Sequence, residues 1–255
     1  VRATNPIGDS DYSDTATASF VATPPVYHYA FDYGSGTFAS DSAGTNTGVL
    51  VGATKPQWVA GRLGSNALSF SGDGVYNQTN QSAVQVSSNL VSPLGATSSF
   101  SAWVKTTQTG SNNHQQAPAL TGVDQLGTTG DINWGTLNAS GQIGIYVGDS
   151  GGIYSTMPIN DGQWHNVTMT RDAISGQVQL YIDGTLNATG SFDIGYKAAQ
   201  FYLIGGLTVR NSSGNVVGAN YFNGQIDDVQ IYNRVLSPGE ISALGQPPSA
   251  PAGLS

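Results

Sequence analysis

The chain has 255 residues and a formal net charge of −8, and only 9% of its residues are charged. Its lysines and arginines occur singly, which argues against nucleic acid because phosphate binding needs clustered basic side chains. No apolar run reaches the roughly 18 residues of a membrane helix, so we expect no membrane insertion. Cysteine is absent, which excludes disulfides and thiol chemistry. A neutral surface rich in Gly, Ser, Thr and Asn is typical of secreted β-proteins.

The two ends of the chain resemble pieces of fibronectin type III domains. Residues 1–23 contain an Arg-Ala-x-Asn strand, a turn with glycine and a Ser/Thr-rich strand, similar to the C-terminal hairpin of such a domain. Residues 246–255 resemble the first strand of a following domain, and the alternative for both segments is a plain Ser/Thr/Pro linker. The resemblance implies other modules of the same polypeptide as neighbours.

Residues 24–245 form the predicted main domain, which begins at the boundary marked by Pro24 and Pro25. Its runs alternate between apolar and polar residues, the pattern of antiparallel strands with one buried face. Asp183 and Gly184 predict a hairpin turn because both tolerate positive φ. A single short helix is predicted at the Ser-Pro-Gly-Glu-Ile-Ser segment beginning at Ser237. The residues predicted to face the core are Phe100, Ala102, Val104, Ile143, Ile145, Val147, Val167, Met169, Val178, Leu180 and Ile182.

Four segments of this domain together resemble a known fold family. They are Tyr29-Ala-Phe-Asp-Tyr-Gly with the Ser-Asp-Ser-Ala-Gly that ends at Gly44, then residues 61–72, residues 160–184 and residues 226–237. They are similar to the laminin-G-like, concanavalin A-like jelly roll common in secreted bacterial proteins. The resemblance implies an all-β, two-sheet antiparallel jelly-roll sandwich. It leaves function open because this fold hosts lectins, adhesion modules and enzymes.

The distribution of carboxylates argues against catalysis. Glycosidases use two carboxylates about 5–10 Å apart. Glu240 is the only glutamate and lies in the predicted helical turn, and most aspartates lie in Gly-, Ser- or Asn-rich turns. No strand carries two carboxylates at i, i+2 spacing. We therefore predict no catalytic residues.

A calcium site is predicted where the first and last strands meet. Asp32 and Asp41 follow the first strand, and Asp227 and Asp228 belong to the last strand. Calcium takes six to eight oxygen ligands, including carboxylates, and the family resemblance also implies calcium near this junction. The alternative is that these aspartates form turns or accept bonds from backbone amides. Neighbouring strand residues face opposite sides, which favours Asp228 as the direct ligand of the adjacent pair.

The predicted carbohydrate site contains Trp134, Tyr146, Asp149 and Tyr154. Trp134 lies near a loop, Tyr146 points away from the apolar face of its strand, and Tyr154 follows a polar turn that contains Asp149. Aromatic rings stack on sugar C–H faces, and carboxylates bind hydroxyls. The alternative is that these are ordinary half-buried aromatic side chains. The long polar segment Thr106–Gly130 is either a binding loop or a mobile surface loop.

These observations predict a non-catalytic carbohydrate-binding module of a secreted bacterial multidomain protein, with calcium as a structural ion and a polysaccharide or glycan as partner. The alternative is an adhesion or structural module that contacts protein or cell-surface partners. A polysaccharide-degrading enzyme domain is the third hypothesis.

Overall fold

The computed structural model describes residues 4–5, 8–9, 23–73, 78 and 81–246. Two helices occur in this part of the chain, α1 (Val91–Leu94) and α2 (Pro238–Leu244). The strands in the same ranges are β1 (Thr4–Asn5), β2 (Gly8–Asp9), β3 (Tyr27–Tyr29), β4 (Phe38–Ala39), β5 (Gly48–Val51), β6 (Gln57–Ala60), β7 (Asn66–Ser71), β8 (Ala83–Val86), β9 (Ser98–Lys105), β10 (Thr121–Gln125), β11 (Ile132–Leu137), β12 (Ile143–Val147), β13 (Gly151–Tyr154), β14 (Trp164–Arg171), β15 (Gln177–Ile182), β16 (Thr185–Ser191), β17 (Leu203–Ile204), β18 (Gly206–Arg210), β19 (Val216–Tyr221) and β20 (Asn223–Tyr232).

Two large sheets form a sandwich, which confirms the predicted all-β, two-sheet architecture. One has the order β16-β15-β14-β9-β20-β7-β6, and β3 also pairs with β20. The other has the order β13-β12-β11-β10-β18-β19 and is called the six-stranded sheet below. Its pairs are antiparallel except for β10 and β18, which run parallel. A smaller sheet of order β17-β8-β5-β4 lies beside them.

The core between the two large sheets is formed by the alternating apolar residues of their strands. All the residues predicted to face the core are buried, Phe100 and Ile145 completely so. Phe100 of β9 contacts Trp134 of β11, with ring centroids 6.4 Å apart. This contact crosses from one sheet to the other, so the register of β11 is fixed by an aromatic side chain that points inward. Removing these apolar side chains from water stabilises the fold by about 25 cal/mol per Å² of buried apolar surface.

The predicted turns also form as expected. Asp183 and Gly184 connect β15 to β16 with φ of 51° and 75°. Helix α2 begins after Ser237, whose side chain accepts a hydrogen bond from the amide of Glu240, while the Glu240 carboxylate accepts one from the amide of Ser237. This capping box satisfies two amides that a helix end leaves without partners. Glu240 also binds Arg234 at 2.6 Å, and this pair lowers the pKa of Glu240 to about 2.

Strand β20 occupies the centre of the eight-stranded sheet. It pairs with β9 along one side and with β7 and then β3 along the other. Its register with β9 shifts between Asp227 and Gln230, and Asp228 has a φ of 50°. The shift is a β-bulge, which changes the faces to which neighbouring side chains point.

The predicted fibronectin-like ends are only slightly covered by the described residues. At the amino end, β1 pairs with β2 in antiparallel fashion. The rest of residues 1–22 and all of residues 247–255 lie outside the described residues. Both assignments therefore stay predictions. No helix in the described part of the chain has the length and apolar character needed to cross a membrane.

Candidate functional site

The candidate site lies on the outer face of the six-stranded sheet, the face directed away from the core. Asn133 of β11 pairs with Gly122 of β10 on one side and with Tyr146 of β12 on the other. Residues paired across a sheet share a face, and adjacent residues alternate. Asn133, Tyr146 and Asp124 therefore face outward, opposite to buried Trp134.

The segment between β9 and β10 crosses this outer face and places His114 against Tyr146. The two rings are stacked, with centroids 3.7 Å apart and planes 8° from parallel. The segment is anchored by Asn220, whose side-chain amide donates to the carbonyl of Gln115 at 2.8 Å. Part of the polar segment predicted as a binding or mobile loop is thus held on the sheet by side-chain bonds. Both rings are half-buried, so part of their surface faces solvent.

Asp149 lies in the turn between β12 and β13 and is exposed, and its charge acts on both His114 and Tyr146. Burial lowers the pKa of His114, and the negative charge of Asp149 opposes that effect. Burial raises the pKa of Tyr146, and Asp149 raises it further. His114 therefore favours the neutral form, and Asp149 supplies an exposed carboxylate beside two aromatic rings.

Two buried acids, Asp124 and Asp131, lie on the same part of the molecule and are 5% and 4% exposed. Burial raises the pKa of Asp124 to about 7, and the charge of Asp131 and a hydrogen bond to it contribute. Burial likewise raises the pKa of Asp131 to about 6, although the amide of Gln125 and the charge of Lys197 oppose this. Because both raised pKa values lie close to neutral pH, these two carboxyl groups keep a proton more readily than an exposed aspartate does.

The sequence did not predict this pair. Asp124 lies on β10, and Asp131 lies just before β11. The two meet through the hairpin that joins these strands. The prediction depended on spacing along single strands, which does not detect a pair that meets across a hairpin. Lys197 is buried nearby, donating to the carbonyl of Thr129 at 2.8 Å and to Asp193 at 3.1 Å.

Of the four residues predicted for the carbohydrate site, three lie together. Tyr154 of β13 is half-buried, and burial raises its pKa, with a smaller contribution from nearby Tyr146. Trp134 is different, because its exposed fraction is 0% and its ring packs on Phe100. The expectation that Trp134 offers a surface to a sugar is wrong. Its position next to a loop concealed the strand alternation that directs it into the core.

The four predicted metal ligands, called the junction carboxylates below, lie around the first and last strands. Asp41 accepts hydrogen bonds from the amides of His28, Ala43 and Asn46 at 2.9, 3.1 and 3.1 Å. Asp32 accepts from the amides of Ser65 and Asn66. These two carboxylates therefore hold the backbone of their loops, the alternative that the sequence left open.

Asp227 and Asp228 point to different partners. Asp227 is fully buried, and its Oδ2 accepts from the amides of Arg62 and Leu63 at 2.7 and 2.8 Å. Asp228 binds Nε2 of His28 at 2.6 Å through Oδ1. Through its hydrogen bond, Asp228 raises the pKa of His28, although burial opposes this.

The fit of a cation to the junction carboxylates depends on Asp227. Its Oδ1 is buried without a partner in the described residues. Burial raises the pKa of Asp227 to about 6, and Asp228 and Asp32 raise it further while the two amides lower it. An uncompensated buried carboxylate oxygen beside a second carboxylate suits a cation. No group of three or more acidic, His or Cys side chains able to hold a metal occurs in the described ranges. Main-chain oxygens or water would have to complete the coordination.

The fold and this site define a lectin-like β-sandwich. The family described as the concanavalin A-like lectin/glucanases superfamily matches residues 77–242. The chain therefore belongs to this superfamily, which confirms the resemblance seen in the sequence.

Solved structures show the same fold. Domain 4 of AbnA, a GH43 extracellular arabinanase from Geobacillus stearothermophilus in complex with arabinotriose, is 21% identical with a TM-score of 0.61. The match covers 88% of this chain and 98% of that one. The receptor-binding domain of botulinum neurotoxin type G is 14% identical with a TM-score of 0.56, covering 88% of this chain and 51% of that one. A Trypanosoma rangeli sialidase in complex with 2,3-difluorosialic acid is 17% identical with a TM-score of 0.55, covering 96% of this chain and 35% of that one.

Among curated relatives, human Pentraxin-4 is 30% identical over 122 residues, which are 44% of this chain and 24% of the relative. A rat protein with sushi, von Willebrand factor type A, EGF and pentraxin domains is 28% identical over 116 residues, or 44% of this chain and 3% of the relative. The chain thus spans a quarter or less of these relatives.

Proposed function

We propose that this chain is a non-catalytic glycan-binding module and that its sugar site is the outer-face surface formed by Tyr146, His114, Tyr154 and Asp149. The observation that carries the proposal is the stacked pair of Tyr146 and His114 beside an exposed carboxylate. Ring edges and faces contact the C–H groups of a sugar, and a carboxylate accepts hydrogen bonds from its hydroxyls. The arabinotriose complex of the similar AbnA domain supports glycans as the ligand class.

The buried acid pair supports binding without hydrolysis. Glycoside hydrolysis needs two carboxyl groups roughly 5–10 Å apart with the sugar between them. Asp124 and Asp131 are instead almost completely buried and are not open to a sugar. Glu240 is held ionised by Arg234 at the start of α2 and is not suited to act as an acid. The expected result is that a bound glycan releases no new reducing ends during prolonged incubation.

Calcium is the proposed structural ion, held by Asp227 and Asp32 with main-chain oxygens or water. The support is the unpartnered buried oxygen of Asp227 and its raised pKa. Calcium would neutralise charge where the last strand meets the loop of residues 61–65. Secretion, a bacterial source and neighbouring modules in the same polypeptide complete the proposal. They are tested by detecting a larger parent polypeptide in the culture medium of the source cells.

A glycan array tests the proposal, using the native chain at millimolar calcium and plant, algal and host polysaccharides. Tyr146→Ala should then weaken binding of the best ligand at least about tenfold, since it removes one ring and the support of His114. The matched control is Tyr33→Ala, because Tyr33 is 69% exposed and lies in the loop after β3. The control should bind like the native chain.

Two results would contradict this function. An array without any hit would exclude the glycan and favour the adhesion hypothesis, in which the partner is a protein surface. Equal loss in the two tyrosine variants would remove the outer face as the site. Circular dichroism and melting curves of each variant separate loss of binding from loss of fold.

A further inference from the structure

A cavity separate from the outer-face site lies at the opposite edge of the six-stranded sheet from Tyr146. It has a volume of about 430 Å³ and opens between β18 and β19 on one side and the small sheet on the other. That volume is within the roughly 300–1,000 Å³ of pockets that hold small ligands. Its lining includes Tyr202, Tyr221, Gln85, Thr208 and Arg210, and none of the described residues that line it is acidic. This cavity belongs neither to the outer face nor to the junction carboxylates.

Thr208 gives the cavity a buried polar group. Thr208 pairs with Val123 across β10 and β18, so its side chain points to the inner face of the sheet. It is 4% exposed, and its Oγ1 has no hydrogen-bond partner in the described residues. Buried hydroxyl groups in folded proteins nearly always have a partner. Thr208 lines the cavity, so a ligand oxygen that reaches this buried hydroxyl would supply one.

Arg210 gives the cavity a positive charge in a fixed position. Its Nε donates to the carbonyl of Gln200 at 2.8 Å, and its Nη1 donates to the carbonyl of Gly214 at 2.5 Å. Both acceptors are neutral, and Arg210 makes no ion pair with a carboxylate in the described part of the chain. A guanidinium has five N–H donors in a planar fork that suits a carboxylate. Gln81, which also lines the cavity, donates its side-chain amide to Asp73 at 2.6 Å.

The remaining lining fits a sugar ring. Tyr202 is half-buried and Tyr221 is 7% exposed, so both place aromatic surface on the cavity wall. Gln85 is exposed and carries an amide that can bind hydroxyls. From the fixed cation, the unpartnered hydroxyl and the aromatic wall, we infer that this cavity binds an acidic saccharide through a carboxylate on the sugar.

The test uses two acidic probes, trigalacturonate and a hyaluronan tetrasaccharide, with a neutral trisaccharide for comparison. Isothermal titration at low salt should show binding of at least one acidic probe and none of the neutral sugar at the same concentration. Because an ion pair carries the recognition, affinity should fall as salt is raised. Tighter binding of a sulfated sugar that lacks a carboxylate would identify the cavity as a general anion site and would overturn the inference.

Charge variants locate the binding. Val217→Glu should raise the Kd at least about tenfold, since Val217 is 39% exposed, lines the same cavity as Arg210 and would add a carboxylate to it. Its control is Val217→Gln, which should stay within about twofold of the native Kd. Arg210→Gln should raise the Kd by a similar factor. Its control is Lys55→Gln, which removes the same charge from an exposed site outside the cavity.

Thr208→Val tests the hydroxyl group while preserving shape. We expect the Kd to rise about threefold to tenfold, with a melting temperature near that of the native chain. The inference is overturned if neither acidic probe binds, or if Lys55→Gln weakens binding as much as Arg210→Gln. Tyr146→Ala should bind the acidic probe normally, which separates this cavity from the outer-face site. Loss of binding in Tyr146→Ala alone would assign the probe to that site instead.

Discussion

The junction carboxylates and the acids of the outer face are the same residue type with different numbers of backbone amide donors. Asp41 accepts hydrogen bonds from three backbone amides, and Asp227 accepts them from two. On the outer face, Asp131 accepts one long bond from the amide of Gln125, at 3.4 Å. No amide donates to Asp124 among the described residues. The number of amides around a buried carboxylate therefore separates the two regions.

This difference explains why one region holds the fold together and the other responds to its surroundings. Amide donors stabilise the charged form of a carboxylate and tie distant loops to it. A carboxylate without them takes up a proton, as Asp124 does with a pKa of about 7. Asp227 lies between these cases because one of its oxygens is satisfied and the other is not. Four experiments test this difference between the two regions.

The largest effect is expected for Asp227→Ala. The substitution leaves the amides of Arg62 and Leu63 without their buried acceptor, and each unpaired amide costs about 1–3 kcal/mol. The free energy of unfolding should fall by about 2–6 kcal/mol, measured by urea denaturation. Asp161→Ala is the control, because Asp161 is exposed and should change stability by less than about 1 kcal/mol. Equal losses in the two variants would show that amide acceptance does not define the junction.

Calcium should give the next largest effect. Binding to the native state alone stabilises it by about 2.7 kcal/mol at a hundredfold excess over Kd. EDTA should therefore lower the melting temperature of the native chain. In Asp227→Asn the side-chain oxygen still accepts the two amides, while the second oxygen becomes an amide nitrogen that cannot bind a cation. This variant should lose the response to EDTA, and Asp161→Asn should keep it.

Asp32→Ala should also remove most of the EDTA response, at an additional cost to the loop that Asp32 holds. The proposed ion would be contradicted if EDTA leaves the melting temperature of the native chain unchanged. The same holds if calcium added to metal-free protein does not raise that temperature. Magnesium at the same concentration should be a weaker substitute because it requires shorter, octahedral coordination.

A smaller effect is expected from Asp124→Asn. The pKa of Asp124 rises from 3.8 to about 7 on folding, so the native state binds more protons than the unfolded state between these values. Stability from this group is therefore lost as pH rises toward 7 and above. Replacing the carboxyl by an amide should raise the melting temperature at pH 8 by about 2–4 °C or more, the equivalent of about 1 kcal/mol.

The difference between variant and native chain should shrink at pH 5, where native Asp124 is protonated. Asp172→Asn serves as control, because Asp172 does not act on the pKa of Asp124 or Asp131, and the bond from Ser175 lowers its own pKa, so the slope between pH 5 and pH 8 should stay unchanged. A native stability that rises from pH 5 to pH 8, or an identical slope in Asp124→Asn, would contradict the assignment.

The smallest effect on stability, within about 0.5 kcal/mol, is expected for Asp149→Asn. Affinity for the glycan found on the array should fall about threefold to tenfold, since one charge-assisted hydrogen bond is lost. NMR titration gives a second readout: the pKa of His114 should fall, because Asp149 raises it in the native chain. If the pKa of His114 does not change in Asp149→Asn, Asp149 does not act on the ring pair.

The fold was predictable because it follows from alternation along single strands. Phe100, Ile145 and Leu180 could be placed in the core from their own neighbours in the sequence. The helix at Ser237 was predictable for the same reason, since its capping box lies within four residues. Trp134 was misplaced because a loop nearby was given more weight than the alternation of β11.

The outer-face site was only half predictable, because it depends on strand pairing. Tyr146 and Asp149 could be proposed from their own strand and turn. The contact of His114 with Tyr146 spans 32 positions, and the pairing of Asp124 with Asp131 requires the register of β10 with β11. The individual sequence segments contain no such register. An observation that could have indicated the acid pair is the hairpin between two apolar strands, with an aspartate near each end.

The central position of β20 has a consequence for how the chain is made. Its residues are among the last of the described part to leave the ribosome, and until they do, β9 on one side and β7 and β3 on the other lack their shared neighbour. Contacts this distant in sequence form slowly because a long loop must close first. During synthesis the exposed strand edges can pair with other chains. We expect shortened forms that end before Asn223 to aggregate. Only chains that contain β20 can complete the sheet and avoid this outcome.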